Sequence, residues 1–475
     1  MASQLRAGVA RTDITPPPGI AHAGWGAQTH QRAAGVDLPL WATALALSDG
    51  SETIVIVDLD LVYIWDSEAP GVIRAVEQAT GLPASHIRLA YTHTHSGPIN
   101  GATWSSWVKE GAEMVPAYDA ILEQQIAGVA RQALGRMRPV RIAAGSGESR
   151  INVNRRFQRP EDGAVVCGRN WSGPVDQQVQ VLRLDDLAGA PLAAIVNYAC
   201  HPITVGPDCD LITPDYPGVM KRVVEQATGA TCLFLQGATG DLGPIQGVAQ
   251  GGFAEYRRLG SILGHDVSRI WWELEPRRRR ERYAGTLESG SPLAIYEDEY
   301  LPELDTTLRV ATREVQLPLK QFAPAAELAA ATARHVEQLN RLRAEGGDRE
   351  AIRSETMLAK RAGMRADLAR RNEGNTQRSV TLQTFTIGDR IALPVVPGEP
   401  FCAIGMGVKA GSPFPHTLFA GYANIGWAYI PTADAYPLGG YEIEITPFAP
   451  EAADILVDAS LALLRDLYSS KEKLQ

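Results

Sequence analysis

Four short polar segments contain the residues whose types and spacing could do chemistry. Each follows an apolar run and contains a Gly or Pro; they are THTHSGP (92–98), CHPITVG (200–206), QGATGDLGP (236–244) and PGEP (397–400). Strand ends that lead into loops are where α/β proteins place their sites. Together the four segments predict one pocket, formed by residues that are far apart in the sequence.

His93 and His95 are two of the chain's 9 histidines, and only one residue separates them. In an extended strand, residues i and i+2 face the same side, so both imidazoles would face one cavity. One would bind a metal, and the other would orient water or support a ligand. For an isolated pair, hydrogen-bonded histidines that cap a strand are the simpler interpretation.

His201 and Glu399 favour the metal-binding interpretation. His201 follows the apolar run AAIVNYAC and precedes a proline, and Glu399 directly follows ALPVVPG. Glutamate is seldom buried unless it is paired or coordinates a metal. Two His and one Glu are a familiar ligand set for a hydrolytic zinc ion, with one position left open for water. Taken alone, Glu399 is also explained as a turn residue or a carboxylate at a helix start.

The elements that must position these residues are predicted by apolar patterning. Two β-branched apolar runs begin at Thr53 and Ile87, and the segment between them, from Asp66, has helical spacing and a Gly stop. This order predicts a βαβ unit. Further elements are predicted from these starting residues: helices from Pro116 and Asp215, a strand hairpin from Gln178 and Pro191, and a strand from Thr231. The fold class is therefore α/β, with mixed β-sheets flanked by helices.

A helical insertion is predicted at about residues 322–375. This region is rich in Ala, Glu, Arg and Leu and is broken by Gly346 and Gly347, which indicates an antiparallel helical hairpin with a solvated charged face and no chemistry. Strands resume around a turn at Gly388 and Asp389. No clean linker divides the chain, so we expect residues 1–475 to form a single catalytic domain that carries this insertion.

Composition and charge exclude several classes of partner. The formal net charge of -9 argues against nucleic acid or an anionic membrane surface. No apolar stretch is long enough for stable membrane insertion, and the first residues contain no apolar signal core, so we expect no secretion signal. Five cysteines without a CxxC pair indicate reduced thiols and a cytosolic (cytoplasmic) protein.

Ten segments of the chain resemble the N-terminal catalytic domain of the neutral/alkaline non-lysosomal ceramidases. In chain order they are AGVARTDITPPPG, GWGAQ, VDLDLV, THTHSGP, the NRR of INVNRRF, VDQQVQVLRL, CHPITVGPDCDLITPDYPG, QGATGDLGP, PGEP and ANIGWAYIPTADAYPLGGYE. From the first segment to the last, in order, the resemblance spans most of the 475 residues. The resemblance implies a ceramidase-like catalytic fold and a mononuclear zinc enzyme that hydrolyses amides.

The resemblance also implies roles for individual residues. The implied zinc ligands are His93, His201, Glu399 and Tyr429. Tyr436 and Tyr441 are nearby, and Tyr441 is the alternative fourth ligand; a tyrosine near a turn is also explained by packing. His95 would hold the attacking water or the substrate oxygen. Arg155 would stabilise the developing oxyanion, although its neighbour Arg156 and an ordinary surface ion pair are alternatives.

Three departures from the family pattern change the expected chemistry. Gly243 stands in GDLGP where the family's GDVSP motif has a serine, so we expect direct attack by metal-activated water without an acyl-enzyme. We also expect no C-terminal immunoglobulin-like domain and no secretion signal, and both expectations argue against ceramide itself as the substrate. Trp104 and Trp107 would line an apolar pocket, or simply pack.

The sequence therefore predicts a zinc-dependent hydrolase that cleaves an N-acyl amide bond. A zinc-dependent esterase or lactonase is the nearest alternative, because esters and lactones present the same carbonyl geometry. A non-catalytic metal-binding protein is a further alternative, although His95 and Arg155 beside the metal ligands argue against it. The expected partner is a small acyl amide or ester, and the oligomeric state stays open, a homo-oligomer included.

Overall fold

Runs of strands are interrupted by single helices or helix pairs along the chain. The structure is a computed structural model, and it describes residues 4–22, 24–26, 28, 30–101, 108–247, 251–426 and 428–469. Within these residues the strands are β1 (Arg6–Asp13), β2 (Gly35–Val36), β3 (Trp41–Ser48), β4 (Thr53–Leu59), β5 (Ile87–Tyr91), β6 (Arg138–Glu148), β7 (Asn152–Gln158), β8 (Val165–Asn170), β9 (Gln178–Asp186), β10 (Pro191–Tyr198), β11 (Leu211–Ile212), β12 (Thr231–Gln236), β13 (Leu242–Pro244), β14 (Arg279–Leu287), β15 (Leu293–Tyr300), β16 (Leu308–Pro318), β17 (Gln377–Ile387), β18 (Ile391–Val395), β19 (Glu399–Pro400), β20 (His416–Thr417) and β21 (Tyr429–Ile430). The α-helices are α1 (Ala69–Thr80), α2 (Val115–Gly135), α3 (Asp215–Thr228), α4 (Phe253–Glu273), α5 (Ala325–Ala344), α6 (Arg349–Arg371), α7 (Cys402–Gly411), α8 (Tyr441–Ile445) and α9 (Ala452–Ser469).

The largest sheet has eight strands in the order β12-β10-β9-β6-β1-β3-β4-β5. β4 and β5 are parallel and are joined through α1, which confirms the predicted βαβ unit. β9 and β10 form the predicted antiparallel hairpin, and β10 runs parallel to β12 across α3. The loops that follow β5, β10 and β12 meet, because Gln236 Nε2 donates to Thr92 O and Cys200 O at 3.1 and 2.9 Å. The mixed α/β class predicted from the sequence is confirmed.

The helices and sheets pack in four layers. Helices α1 and α2 cover one half of an outer face of the large sheet, and α3 and α4 cover the other half. Its inner face packs on a four-stranded sheet, β16-β17-β18-β20, whose far side is covered by α7 and α9. Strand β4 contributes to both cores because its side chains alternate between the two faces of the sheet. Val55 and Val57 pack towards the helices, whereas Ile54 and Ile56 pack towards the second sheet.

The predicted helical hairpin is present as α5 and α6, which pack against each other along their length. Gly346 adopts a φ of 68° in the connection, a conformation that glycine tolerates without strain. Asp348 caps α6 by accepting a hydrogen bond from Ala351 N at 2.9 Å. Strands β17 and β18 follow, and they pair antiparallel around the predicted turn at Gly388 and Asp389.

A strand pair that the sequence did not predict lies between α4 and β16 in the chain. β14 and β15 form a two-stranded antiparallel sheet whose residues are nearly all exposed. Cross-strand ion pairs such as Arg280 with Glu299, at 2.9 Å, align its two strands. Among the described residues, no helix combines the length and the apolar character that a bilayer crossing requires.

Candidate metal centre

A sharp backbone turn after β5 places His93 and His95. His93 has a φ of 68°, a left-handed conformation that is uncommon for residues other than glycine and that often marks a functional site. Its N–H donates to Leu61 O at 2.9 Å, and Thr92 N donates to Leu59 O at 2.9 Å. The expectation that strand alternation aligns the two histidines is therefore wrong, because β5 ends at Tyr91 and the turn brings the rings together.

The Nδ1 atoms of the buried His93 and His201 and of the partly buried His95 each face a backbone carbonyl. The distances are 2.8 Å from His93 Nδ1 to Val62 O, 2.6 Å from His95 Nδ1 to Gly24 O, and 3.3 Å from His201 Nδ1 to Thr239 O. A carbonyl oxygen can only accept a hydrogen bond, so Nδ1 carries the proton in each ring. Each Nε2 atom is therefore left with a lone pair, which is the tautomer of a metal-binding histidine.

The three Nε2 atoms point at one another. His95 Nε2 lies 3.2 Å from His93 Nε2 and 3.0 Å from His201 Nε2. Burial lowers the pKa of His95 to about 4 and the pKa values of His93 and His201 well below the ordinary value, so all three are neutral at pH 7. Three converging lone pairs repel one another unless a cation lies between them. These residues, the histidine cluster, could therefore hold a metal ion.

A buried carboxylate completes one side of the histidine cluster. Glu399 Oε2 lies 3.6 Å from His93 Nε2. Burial raises the Glu399 pKa to about 8 in the metal-free protein, and a hydrogen bond from Tyr429 partly opposes this shift. Glu399 is in direct register with Tyr429, because β19 and β21 pair as parallel strands. The predicted ligands His93, His201, Glu399 and Tyr429 are thus brought close together.

Arg155 lies beside these ligands in β7. Its Nε donates to Glu442 Oε1 at 3.0 Å, and Arg156 Nη1 donates to Glu442 Oε2 at 2.6 Å. Successive strand residues normally face opposite sides, but a register shift between Asn154 and Arg156 lets both guanidinium groups reach one carboxylate. All three side chains are buried, so the alternative of a surface ion pair is excluded. Arg155 Nη2 is buried and has no hydrogen-bond partner among the described residues.

A family comparison decides how the chain is classified. The model of the neutral/alkaline non-lysosomal ceramidases (N-terminal part) matches residues 5–244, just over half of the chain. The chain belongs to this ceramidase family. A neutral ceramidase of Pseudomonas aeruginosa is 25% identical over 298 residues, and neutral ceramidase A of Dictyostelium discoideum is 25% identical over 264 residues.

The matched segments cover only part of each ceramidase. They are 58% and 51% of this chain, but 44% of the Pseudomonas protein and 36% of the Dictyostelium protein. The crystal structure of the Pseudomonas neutral ceramidase superposes with a TM-score of 0.64 at 21% identity, over 98% of this chain and 75% of that chain. A ceramidase complexed with C2 gives a TM-score of 0.65 at 19% identity. The overall fold is thus that of the neutral ceramidases.

Tyr441 and Gly243, two other residues of the ceramidase pattern, lie at the site. Tyr441 begins α8, and its ring centroid is 5.8 Å from that of Tyr429, so both candidate tyrosines are at the site. Tyr436 instead donates to Phe448 O at 2.8 Å, a packing role. A Cβ added at Gly243, in the family's serine position, would lie 3.4 Å from Arg155 Cβ. Trp104 and Trp107 lie outside the described residues.

Sequence reasoning missed Tyr422. Its ring centroid is 4.3 Å from that of His93, and its hydroxyl accepts from Thr239 Oγ1 at 2.7 Å and donates to Glu399 Oε2 at 3.4 Å. Tyr422 also has a positive φ of 52°. The signal in the sequence was weak, because AGYANIG follows only the two-residue strand β20 and the apolar Leu418 and Phe419.

Proposed function

We propose that this chain is a zinc-dependent hydrolase that cleaves an N-acyl amide bond. The observation that carries the proposal is the histidine cluster, whose three Nε2 lone pairs converge beside the buried Glu399 carboxylate. Imidazole and carboxylate donors suit zinc. His93, His201, Glu399 and Tyr429 would hold the ion, with Tyr441 as the alternative to Tyr429.

Bound zinc supplies Lewis-acid chemistry, since it polarises a carbonyl group and lowers the pKa of a water molecule to about 7. His95 is the general acid–base group, because its neutral Nε2 accepts a proton and can return it to the leaving amine. The free Nη2 of Arg155 donates to the oxygen that gains charge as the carbonyl is attacked. Glu442 holds that guanidinium in place.

The relatives suggest the bond that is cleaved. Their names describe them as neutral ceramidases, and ceramide is an N-acyl amide. We propose the wider class of N-acyl amides, because the matched segment spans less than half of each relative. A non-catalytic metal-binding role is disfavoured by Arg155, whose buried unpartnered N–H would be a cost without a purpose.

The test pairs metal analysis with a substrate panel. Purified protein is analysed for bound metal, then assayed with an N-acyl amide, the matching acyl ester and an acyl lactone. We expect about one zinc per chain and release of free fatty acid from the amide, lost on chelation and restored by zinc. Turnover of only the ester or lactone would replace the amidase with an esterase or lactonase. Full activity in metal-free protein would refute zinc dependence.

We further propose a cytosolic location. Cys167, Cys200, Cys209, Cys232 and Cys402 are all free thiols, and a reducing compartment keeps thiols in this state. Fractionation of the native host would test this placement, and recovery of the protein with secreted material would contradict it.

A further inference from the structure

Helix α6 of the helical hairpin borders the proposed site. Lys360 Nζ donates to Gln28 O at 2.9 Å. The Gln28 side chain in turn accepts a hydrogen bond from Trp25 N at 3.1 Å, and the Trp25 ring centroid is 5.6 Å from that of His95. Lys360 is thus linked to the histidine cluster through one short loop.

The next turn of α6 contacts residues around the proposed ligand Tyr429. Met364 packs against an apolar cluster that contains Phe401 and Tyr429, and Tyr441 packs there too. Lys360 and Met364 are four residues apart and therefore share one face of the helix. That face lies next to the proposed zinc ligand Tyr429, while most charged side chains of the hairpin are exposed or partly exposed, as predicted.

Lys360 differs from the other cations of α6 because it is half-buried and, among the described residues, forms no ion pair. Four of the others have carboxylate neighbours: Arg353 with Asp208, Arg361 with Glu444, and Arg370 and Arg371 with Asp367. The remaining two, Arg349 and Arg365, are exposed to water. Lys360 is half-buried, and its recorded acceptor is one backbone carbonyl. Within the described part of the chain, no carboxylate forms an ion pair with it.

A half-buried ammonium without a counter-charge is unusual. Lysine is almost never fully buried unless it is paired, and partial burial already lowers the Lys360 pKa. Around the proposed site, Arg155 and Arg156 share the carboxylate of Glu442, so this carboxylate is not free to pair with Lys360.

We propose that Lys360 is a specificity-determining residue that binds a negatively charged group on the amine portion of the substrate. The preferred substrates are then N-acyl amides that carry a carboxylate, of which N-acyl amino acids are the simplest class. Two N–H groups of the ammonium remain for that carboxylate after the bond to Gln28 O. The inference rests on the proposed function, since it adds a substrate class to the same site.

The experiment compares two substrates that differ in one charge. Zinc-loaded wild type is assayed with N-octanoylglycine and with its neutral analogue N-octanoylglycinamide. We expect a higher kcat/KM for the carboxylate, by about 10- to 100-fold, the range for a hydrogen bond between charged groups. Lys360→Met should abolish this preference while turnover of the neutral analogue persists, and Lys360→Arg should keep most of it. Arg370→Met, which removes an exposed cation from the same helix, should leave it unchanged.

Binding of N-octanoylglycine, followed by calorimetry, separates this inference from the proposed function. If neither compound is hydrolysed by the zinc-loaded wild type, the proposed amidase fails. Weaker binding to Lys360→Met than to the wild type would still support the lysine's role. Equal binding by the two proteins, or an unchanged preference in Lys360→Met, would overturn the inference even if both amides are hydrolysed.

Discussion

The protein contains two buried polar clusters: the histidine cluster and a lysine cluster formed by Lys221, Asp58 and Asp60. They differ in whether the cluster contains its own counter-charge. In the lysine cluster, Lys221 Nζ lies 2.9 Å from Asp58 Oδ2 and 2.7 Å from Asp60 Oδ1. Its carboxylates also accept backbone N–H groups, from Phe234 to Asp58 and from Trp41 to Asp60, each at 3.0 Å. The histidine cluster instead turns three acceptors towards one another and has no donor between them.

The difference separates a structural cluster from a binding site. Opposite charges within the lysine cluster pair with one another, so it ties β4 to α3 and β12 without any outside group. Its one unpaired atom among the described residues is Asp58 Oδ1. The histidine cluster lacks its positive partner, and only a group from outside the chain can supply it. Burial and polarity alone therefore do not identify a functional site, whereas a missing counter-group does.

The largest effect on zinc content and kcat is expected from substitutions in the histidine cluster. His93→Ala removes a proposed zinc ligand, so bound zinc and turnover should both fall to background. His95→Ala should keep most of the zinc and lose about 10²–10⁴-fold in kcat, because it removes an acid–base group. Zinc content and kcat are measured on the same preparations. A metal-free His95→Ala beside a zinc-loaded His93→Ala would reverse the two roles.

The lysine cluster should respond in the opposite manner. Lys221→Met leaves two buried carboxylates without their cation, so the free energy of unfolding should fall by about 3–5 kcal/mol. Zinc content and kcat, measured where the variant is still folded, should change little. Replacing all three charges, as in Asp58→Asn/Asp60→Asn/Lys221→Met, should recover much of the stability. A loss of zinc without a loss of stability would show that this cluster also serves the site.

Arg155 combines a paired donor, as in the lysine cluster, with an unpaired polar atom, as in the histidine cluster, and so it tests the comparison. Its Nε is satisfied by Glu442, but its Nη2 is not paired within the described residues. Arg155→Lys keeps a positive charge and loses the second donor, so kcat should fall about 10²–10³-fold with zinc retained. Urea unfolding provides the control for folding. A rise in KM at constant kcat would instead indicate that Arg155 binds the substrate before the reaction.

These contrasts also show what the sequence could predict. Strands β4 and β5 and helices α2 and α3 follow from apolar periodicity, which is local to each segment. The contact of Arg155 with Glu442 joins residues 287 positions apart, and the left-handed turn at His93 depends on carbonyls of the preceding loop. No local pattern records such contacts. The exposed strands β14 and β15 were missed because they bury no apolar face that periodicity would detect.

A smaller effect on kcat is expected from Gly243→Ser, which introduces the serine hydroxyl of the family's GDVSP motif. The wild type has no nucleophilic side chain at this place, so mass spectrometry during turnover should detect no acyl adduct on the protein. Gly243→Ser adds a side chain in contact with Arg155 Cβ, and we expect a change in kcat of less than about tenfold. An acyl adduct on any residue of the wild type would refute direct attack by water.

The smallest effect concerns a buried histidine outside both clusters. His22 is buried, and burial together with the nearby His30 lowers its pKa to about 4. A histidine with a lowered pKa in the folded state contributes its full stability above about pH 6.5 and loses it as the pH falls towards 4. Between about pH 7.5 and pH 5, the unfolded chain gains a proton at this residue and the folded protein does not. The stability at stake is about 1–2 kcal/mol.

His22→Gln should remove this pH dependence whether or not zinc is bound, because His22 is not a proposed ligand. Urea unfolding of wild type and variant near pH 7.5 and near pH 5 measures it, as a difference of differences that cancels any general cost of the substitution. A smaller acid loss in the variant with and without zinc would show that the lowered pKa of His22 does not depend on the metal. A smaller loss of stability only in the zinc-loaded protein would show that His22 is coupled to the metal centre. His22 would then have to be counted with the histidine cluster.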